Sequence, residues 1–283
     1  MWAMARAPGT RVRRVAQHAP AVFIAVGGCL PLVLMVAGSL QRPGEPPSRV
    51  VDIVPPDPSL AGYTRAFELV ELARHFVNSL LVGGIAVPLS VVVASWAGFA
   101  LSQLPRRSAR LVLGLAAGVL ILPPAALLVG RFALFRGLGV LDTYVPLVAP
   151  SLYGTSALFV LLYAWSFRRL PPEYLDVGRL AGLGPFGLWR RIAFPLVRPT
   201  TLAVATLAFV STWSNFLDPL VYLQDPDLYT LPLGLRALQL VGRQDTSVQL
   251  AASVVATLPV VGAFLYAQRF LLDAVDARAR TAG

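Results

Sequence analysis

The chain has 283 residues, 56% apolar and 13% charged, with a formal net charge of +10; a soluble domain carries about a quarter charged residues, so a water-soluble globule is excluded. All 24 basic side chains are arginine, and without lysine there is neither a phosphate-loop nucleotide site nor a lysine Schiff base. Two histidines (His18, His75) and one cysteine (Cys29) are too few for a structural zinc site or a disulfide framework.

Six apolar stretches, at 20–40, 76–104, 111–130, 144–167, 200–222 and 248–268, are each long enough to cross a bilayer, for which about 20 residues suffice. The predicted fold is all-α and polytopic: a tail over 1–19, a six-helix transmembrane domain over 20–268 and a second tail over 269–283. Arg6, Arg11, Arg13 and Arg14 precede the first stretch, and Gly38 to Arg42 make a poor cleavage site, so it reads as a retained helix and not a signal peptide. Sixteen of the 24 arginines fall in the N-terminal tail, the 105–110 turn, the 168–199 loop and the C-terminal tail. The loops at 41–75, 131–143 and 223–247 hold the other eight arginines and nine of the 14 acidic residues, with Asp218 inside a span. The arginine-rich side is therefore cytoplasmic and both termini are expected inside. The basic charge is a signal of topology, and nucleic acid is not an expected partner.

The first outer loop opens with a proline-rich extended stretch, Pro43 to Pro58, where helix is disfavoured. From Tyr63, apolar Phe67, Val70, Leu72 and Phe76 alternate with Glu68, Glu71 and Arg74. That pattern predicts a short amphipathic helix on the outer surface, either an interfacial anchor or a docking ledge. Pro123-Pro124 and Pro259 are expected to kink their spans. Cys29 reads as an inert apolar residue, and Trp96, Tyr163 and Trp165 as lipid-interface or packing residues.

The loop at 168–199 predicts a helix, a turn and a second helix. Pro171-Pro172 can start a helix, because a first-turn residue needs no N–H. Glu173 and Asp176 sit in its first turn, where the dipole favours negative charge. Gly182 ends it, and Gly184-Pro185 turn the chain. A second short helix from Phe186 carries Arg190 and Arg191 back toward the membrane, which the chain meets at Pro195. Apolar Leu180, Leu183, Phe186 and Leu188 on such a loop need a cover, either the membrane surface or a cytoplasmic protein.

This loop resembles the permease subunits of ATP-binding-cassette importers, of the carbohydrate-uptake type typified by the maltose importer. Their hallmark is Glu-Ala-Ala, three residues, Gly, nine residues, then Ile, any residue and Leu-Pro. Here Asp176-Val177-Gly178 stands for Glu-Ala-Ala, Gly182 matches the glycine, Ile192 falls at the required distance, and Phe194-Pro195 replaces Leu-Pro. The resemblance extends to Asn78-Ser79, Leu122-Pro123-Pro124, Trp213-Ser214-Asn215-Phe216 with Pro219-Leu220, and the outer segment Asp225 to Leu235. It implies a type I importer fold in the cytoplasmic membrane of a bacterium. It further implies a second permease subunit, two ATPase subunits that hold ATP and magnesium, and an extracytoplasmic solute-binding protein; this chain carries no cofactor. The 168–199 loop would couple to the ATPase through Asp176, Val177, Gly178, Leu180, Gly182 and Leu183, with Glu173 and Arg179 as peripheral charges and Ile192 and Pro195 closing the motif.

In the fifth span Ser211, Asn215, Asp218 and Tyr222 follow offsets that place them on one helical face, with Ser214 beside them. Polar bands in a membrane helix face the bundle interior or a water-filled path, so these five are candidate substrate-pathway residues, against helix–helix adhesion as the alternative. A sugar, glycerol phosphate or another solute remains possible as cargo. A secondary transporter would want a midplane ion site and often a repeat. An intramembrane enzyme would need a constellation that these residues do not supply.

Overall fold

The computed structural model describes residues 9–45, 55, 57–121, 123–153, 156–241 and 245–281, and among these there is helix and no strand. In chain order the helices are α1 (Gly9–Ser39), α2 (Ala61–Leu69), α3 (Leu72–Gln103), α4 (Arg106–Ile121), α5 (Leu128–Gly137), α6 (Val145–Val148) and α7 (Ala157–Phe167). They continue as α8 (Pro172–Leu180), α9 (Pro185–Leu188), α10 (Phe194–Leu196), α11 (Arg198–Trp213), α12 (Leu217–Tyr222), α13 (Leu231–Val241) and α14 (Thr246–Thr281). The chain forms two compact units, one of residues 1–70 and 237–255, the other of 71–236 and 256–283. Parts of the N-terminal tail, most of the 43–58 stretch and Leu122 lie outside the described residues.

Among the described residues four stretches are long and apolar enough to cross a membrane: Val22–Ser39, Leu72–Gln103, Val145–Phe167 and Thr246–Arg269. They carry their apolar side chains outward. Phe23 is 81% exposed, and Leu81, Ile85, Leu258 and Phe264 are exposed as well, an arrangement that suits lipid and not water.

Three of the expected spans are interrupted. The third ends as α4 at Ile121 and resumes as a 3-10 turn at Pro124–Leu127 followed by α5. Two successive prolines withhold two N–H donors, and the second disfavours helical geometry at the first, so the pair breaks the helix where a kink was expected. The expected outer loop at 131–143 is consequently half helix. In the fourth, α6 passes into a 3-10 turn over Ala149–Tyr153, and α7 starts afresh under Ser156, whose hydroxyl accepts from the Leu158 N–H at 3.2 Å. The fifth is divided into α11 and α12. Pro259, by contrast, stays within a continuous α14.

In the smaller unit, α2 begins two residues before the expected Tyr63 and ends at Leu69, so Leu72 and Phe76 belong to α3 instead. Tyr63 Oη and Ser39 Oγ are 2.7 Å apart. Gly62 lies against the backbone of Ser39 and Ser247, where a Cβ would stand 3.3 Å from the Ser247 carbonyl.

The larger unit is organised on α3, whose small buried residues Ser79, Gly83, Ala86, Ser90, Ala94 and Gly98 repeat at helical spacing. Small residues let neighbouring backbones approach: a Cβ on Gly98 would meet Tyr163 Cβ at 2.5 Å and the Ala164 nitrogen at 2.9 Å. Tyr163 is accordingly a packing residue, fully buried with Phe159 and Phe167 of α7 and Val204 and Ala208 of α11. A second cluster joins Val82 to Phe135, Leu147, Tyr222, Leu223 and Leu233.

Candidate functional site

The 168–199 segment folds as a hairpin held together by its own residues. Helix α8 closes in a Schellman arrangement: Gly182 has φ +79°, its N–H donates to Arg179 O, and the Leu183 N–H donates to Gly178 O, both at 3.0 Å. Gly182 is there for its backbone, since a Cβ would touch nothing within 4 Å. Gly178 is the reverse case: it is buried, and a Cβ would collide with Ile192 and with Leu188 Cδ2 at 2.6 Å. A π-helical turn at Trp189–Ala193 precedes Pro195, which has no N–H for a regular helical bond. The second arm, Pro185–Leu196, meets α11 at a bend of 86°.

Leu188 and Leu183, two of the apolar residues expected to need an external cover, are covered within this chain, in the cluster that joins the hairpin to α3, α7 and α11. Gly178 and Ile192 likewise turn inward, and Pro195 is half-buried. Glu173, Asp176, Val177, Arg179, Leu180 and Gly182 remain exposed. Tyr174, Val177 and Leu180 share one face of α8, with Val177 65% and Leu180 89% exposed. Tyr174 escaped sequence reasoning, although its three-residue spacing from Val177 was the available signal. Arg179 anchors the hairpin by donating to Asp176 Oδ1 at 2.7 Å and to Gln103 Oε1 at 2.9 Å. Arg168 donates to the carbonyls of Leu101 and Leu104 at the end of α3.

The polar residues of the fifth span do not form the expected single helical face. α11 stops at Trp213 because Pro219 would bring its ring, without an N–H, against the Asn215 carbonyl. Ser214 turns its hydroxyl back to Val210 O at 2.6 Å, and both Ser211 and Ser214 are exposed. Asn215 and Asp218 are joined by two bonds at the start of α12: Asn215 Oδ1 accepts from the Asp218 N–H at 3.2 Å, and Asn215 Nδ2 donates to Asp218 Oδ2 at 3.0 Å. The same carboxylate oxygen accepts from Arg131 Nη2 of α5 at 3.2 Å. Arg131, assigned by sequence to an outer loop, also stands 5.6 Å above the ring of buried Tyr222. The intramembrane acid is thus half of an ion pair, and sequence spacing held no signal for its partner.

On the other face of the larger unit, Asn78-Ser79 secures the Asp225–Leu235 segment. Asn78 Nδ2 donates to Asp227 O at 2.8 Å and Tyr229 O at 3.0 Å, and Ser79 Oγ accepts from the Leu231 N–H at 2.8 Å. His75, expected outside the spans, is buried in the first turn of α3 and donates from Nε2 to Pro226 O at 3.2 Å. Asp142, at φ +58°, accepts the N–H groups of Gln224 and Asp225 at 2.8 and 3.0 Å. Those two bonds hold its carboxyl below the usual aspartate range.

Among the described residues no group of three or more metal-ligating side chains occurs. The family model for the inner membrane component of binding-protein-dependent transport systems matches residues 86–281. An arabinooligosaccharides transport system permease protein, AraQ of Bacillus subtilis, is 29% identical over 86% of this chain and 87% of its own. The melibiose/raffinose/stachyose import permease protein MelC of Bacillus subtilis is 24% identical over 92% and 94%. A bacterial ABC transporter crystallised for its role in importing the acidic polysaccharide alginate superposes with a TM-score of 0.77 over 95% of this chain and 99% of its own, at 16% identity. With the family-model match covering more than half of its residues, the chain belongs to the family of binding-protein-dependent transport system inner membrane components.

Proposed function

We propose that this chain is the permease subunit of an ATP-driven importer that moves a sugar or sugar-like solute into a bacterial cell. Its relatives AraQ and MelC are named for arabinooligosaccharides and for melibiose, raffinose and stachyose, which share only the chemistry of a neutral oligosaccharide. ATP and magnesium belong to two separate ATPase subunits, because a chain without lysine has no phosphate-loop site of its own. A second permease completes the pathway, and an extracytoplasmic binding protein delivers the solute.

The observation that carries this reading is the exposed apolar face of α8, Tyr174, Val177 and Leu180, on a hairpin packed internally at Gly178 and tied to α3 by the Arg179–Gln103 bond. A rigid hairpin with an uncovered tip suits a lever, since motion of a protein gripping it reaches α11 through the 86° bend. Glu173, Asp176 and Gly182 form the rest of the exposed contact. Gly178, Leu183, Ile192 and Pro195 act from within by shaping it. For the pathway, Asn215, Asp218 and Tyr222 hold the interrupted fifth span in shape, and Ser211 and Ser214 offer exposed positions on it.

Leu180→Asp tests the coupling. The variant should reach the membrane in normal amount, lose the co-purifying ATPase and lose ATP-dependent uptake. A variant that keeps both the ATPase and uptake would remove the coupling role of this face.

A further inference from the structure

A cavity of about 370 Å³ opens where the ends of α3 and α7 meet α8, on the arginine-rich side of the chain. Its rim carries Arg106, Arg168 and Arg179, contributed by three separate elements, and its floor is apolar, formed by Phe167, Leu170 and Leu175. No acidic residue lines it. Asp176, the acid nearest in sequence, is engaged by one nitrogen of Arg179. Arg168 spends one nitrogen, Nη2, on the carbonyls that end α3, and a guanidinium has five N–H donors in all. Arg179 already has Asp176 and Gln103 as partners, but Arg106 and Arg168 meet no carboxylate at this opening, and their forked donors match phosphate oxygens.

We propose that this cavity is a phosphate-group site, filled by the headgroup of an anionic membrane lipid. Half-buried Leu170 separates a lipid from a free phosphate ion: a headgroup brings its glycerol to lie on that side chain, whereas inorganic phosphate leaves it wet. The cavity lies at the depth of the headgroups, because it sits where two spans end. A lipid seated there would brace the root of the hairpin. The assignment rests on the membrane position of the chain and not on its cargo.

The test uses the full-length chain in nanodiscs of phosphatidylcholine, titrated with a short-chain phosphatidylglycerol and, separately, with inorganic phosphate. Binding is read by 31P NMR and native mass spectrometry. Arg106→Gln should weaken phosphatidylglycerol binding about fivefold, the factor for one arginine beside an anionic headgroup. Arg106 is chosen because Arg168 also caps α3. Arg191→Glu, which alters surface charge outside the cavity, should change binding little. Displacement of the lipid by millimolar inorganic phosphate would keep the phosphate site and reassign its source to solution. Absence of binding by either probe, or equal weakening by Arg191→Glu, overturns the proposal.

Discussion

Arg131 and Asp218, 87 positions apart in the chain, meet at 3.2 Å with side chains only 21% and 14% exposed. One follows the break in the third span and the other the break in the fifth, so each interruption supplies half of the pair. Removing one partner of a shielded pair leaves a charge without its counterion, which costs more than losing both. Arg131→Gln and Asp218→Asn alone should each lower thermal stability and uptake, and the double variant should recover part of the loss. A double-mutant cycle should give a coupling of about 1–3 kcal/mol. Additive losses would show that the two groups do not interact.

The two glycines of the hairpin should fail in different ways. Gly178→Ala forces a Cβ onto Leu188 and Ile192, and overpacking of this kind costs about 1–3 kcal/mol. Gly182→Ala meets open space and costs about 1–2 kcal/mol, for the left-handed backbone alone. Limited proteolysis across 168–199 should therefore be faster in Gly178→Ala. Substituting Gly178 by Leu should push α8 off the second arm of the hairpin and abolish uptake. Equal proteolysis of both alanine variants would contradict the packing argument.

Asn78 is a donor to two carbonyls, and a side chain in its place must donate as well. Asn78→Ala should cost about 1–2 kcal/mol and raise hydrogen exchange across 225–231. Asn78→Asp should be worse, since a carboxylate has no donor and would face the carbonyl oxygens of Asp227 and Tyr229. If the aspartate variant exchanges more slowly than the alanine variant, the clasp is not formed as described.

The Asp142 clasp gives a pH dependence with a definite sign. Its carboxyl is held below the ordinary range by the N–H groups of Gln224 and Asp225, so the ionised form is the one that holds the segment. The contribution is complete above the ordinary aspartate range and is lost as pH falls through the depressed value. Relative to the intrinsic rate at each pH, hydrogen exchange at Gln224 and Asp225 should accelerate on acidification in the natural chain. In Asp142→Asn it should be elevated already at neutral pH, with no acid step.

Much of this molecule was readable along the chain. Hydropathy marked the apolar segments, and glycine and proline spacing marked the hairpin, because each is a local property carried by neighbours within a turn or two. Of the four apolar loop residues expected to need a cover, Leu180 and Phe186 are exposed and Leu183 and Leu188 are not. The fifth span shows the limit: offsets counted through Ser211, Asn215 and Asp218 assumed a continuous helix, and Pro219 ended that continuity.

The apolar runs and the family motif were decided by sequence alone, since a lipid solvent acts on any segment of suitable composition. Tertiary structure decided that Arg131 neutralises Asp218, that Asn78 clasps carbonyls about 150 positions away, and that Gly178 is packed while Gly182 is bent. The reason is physical. A contact between distant positions leaves no periodicity in either segment, and a glycine looks the same in sequence whether it is needed for its missing Cβ or for its free backbone.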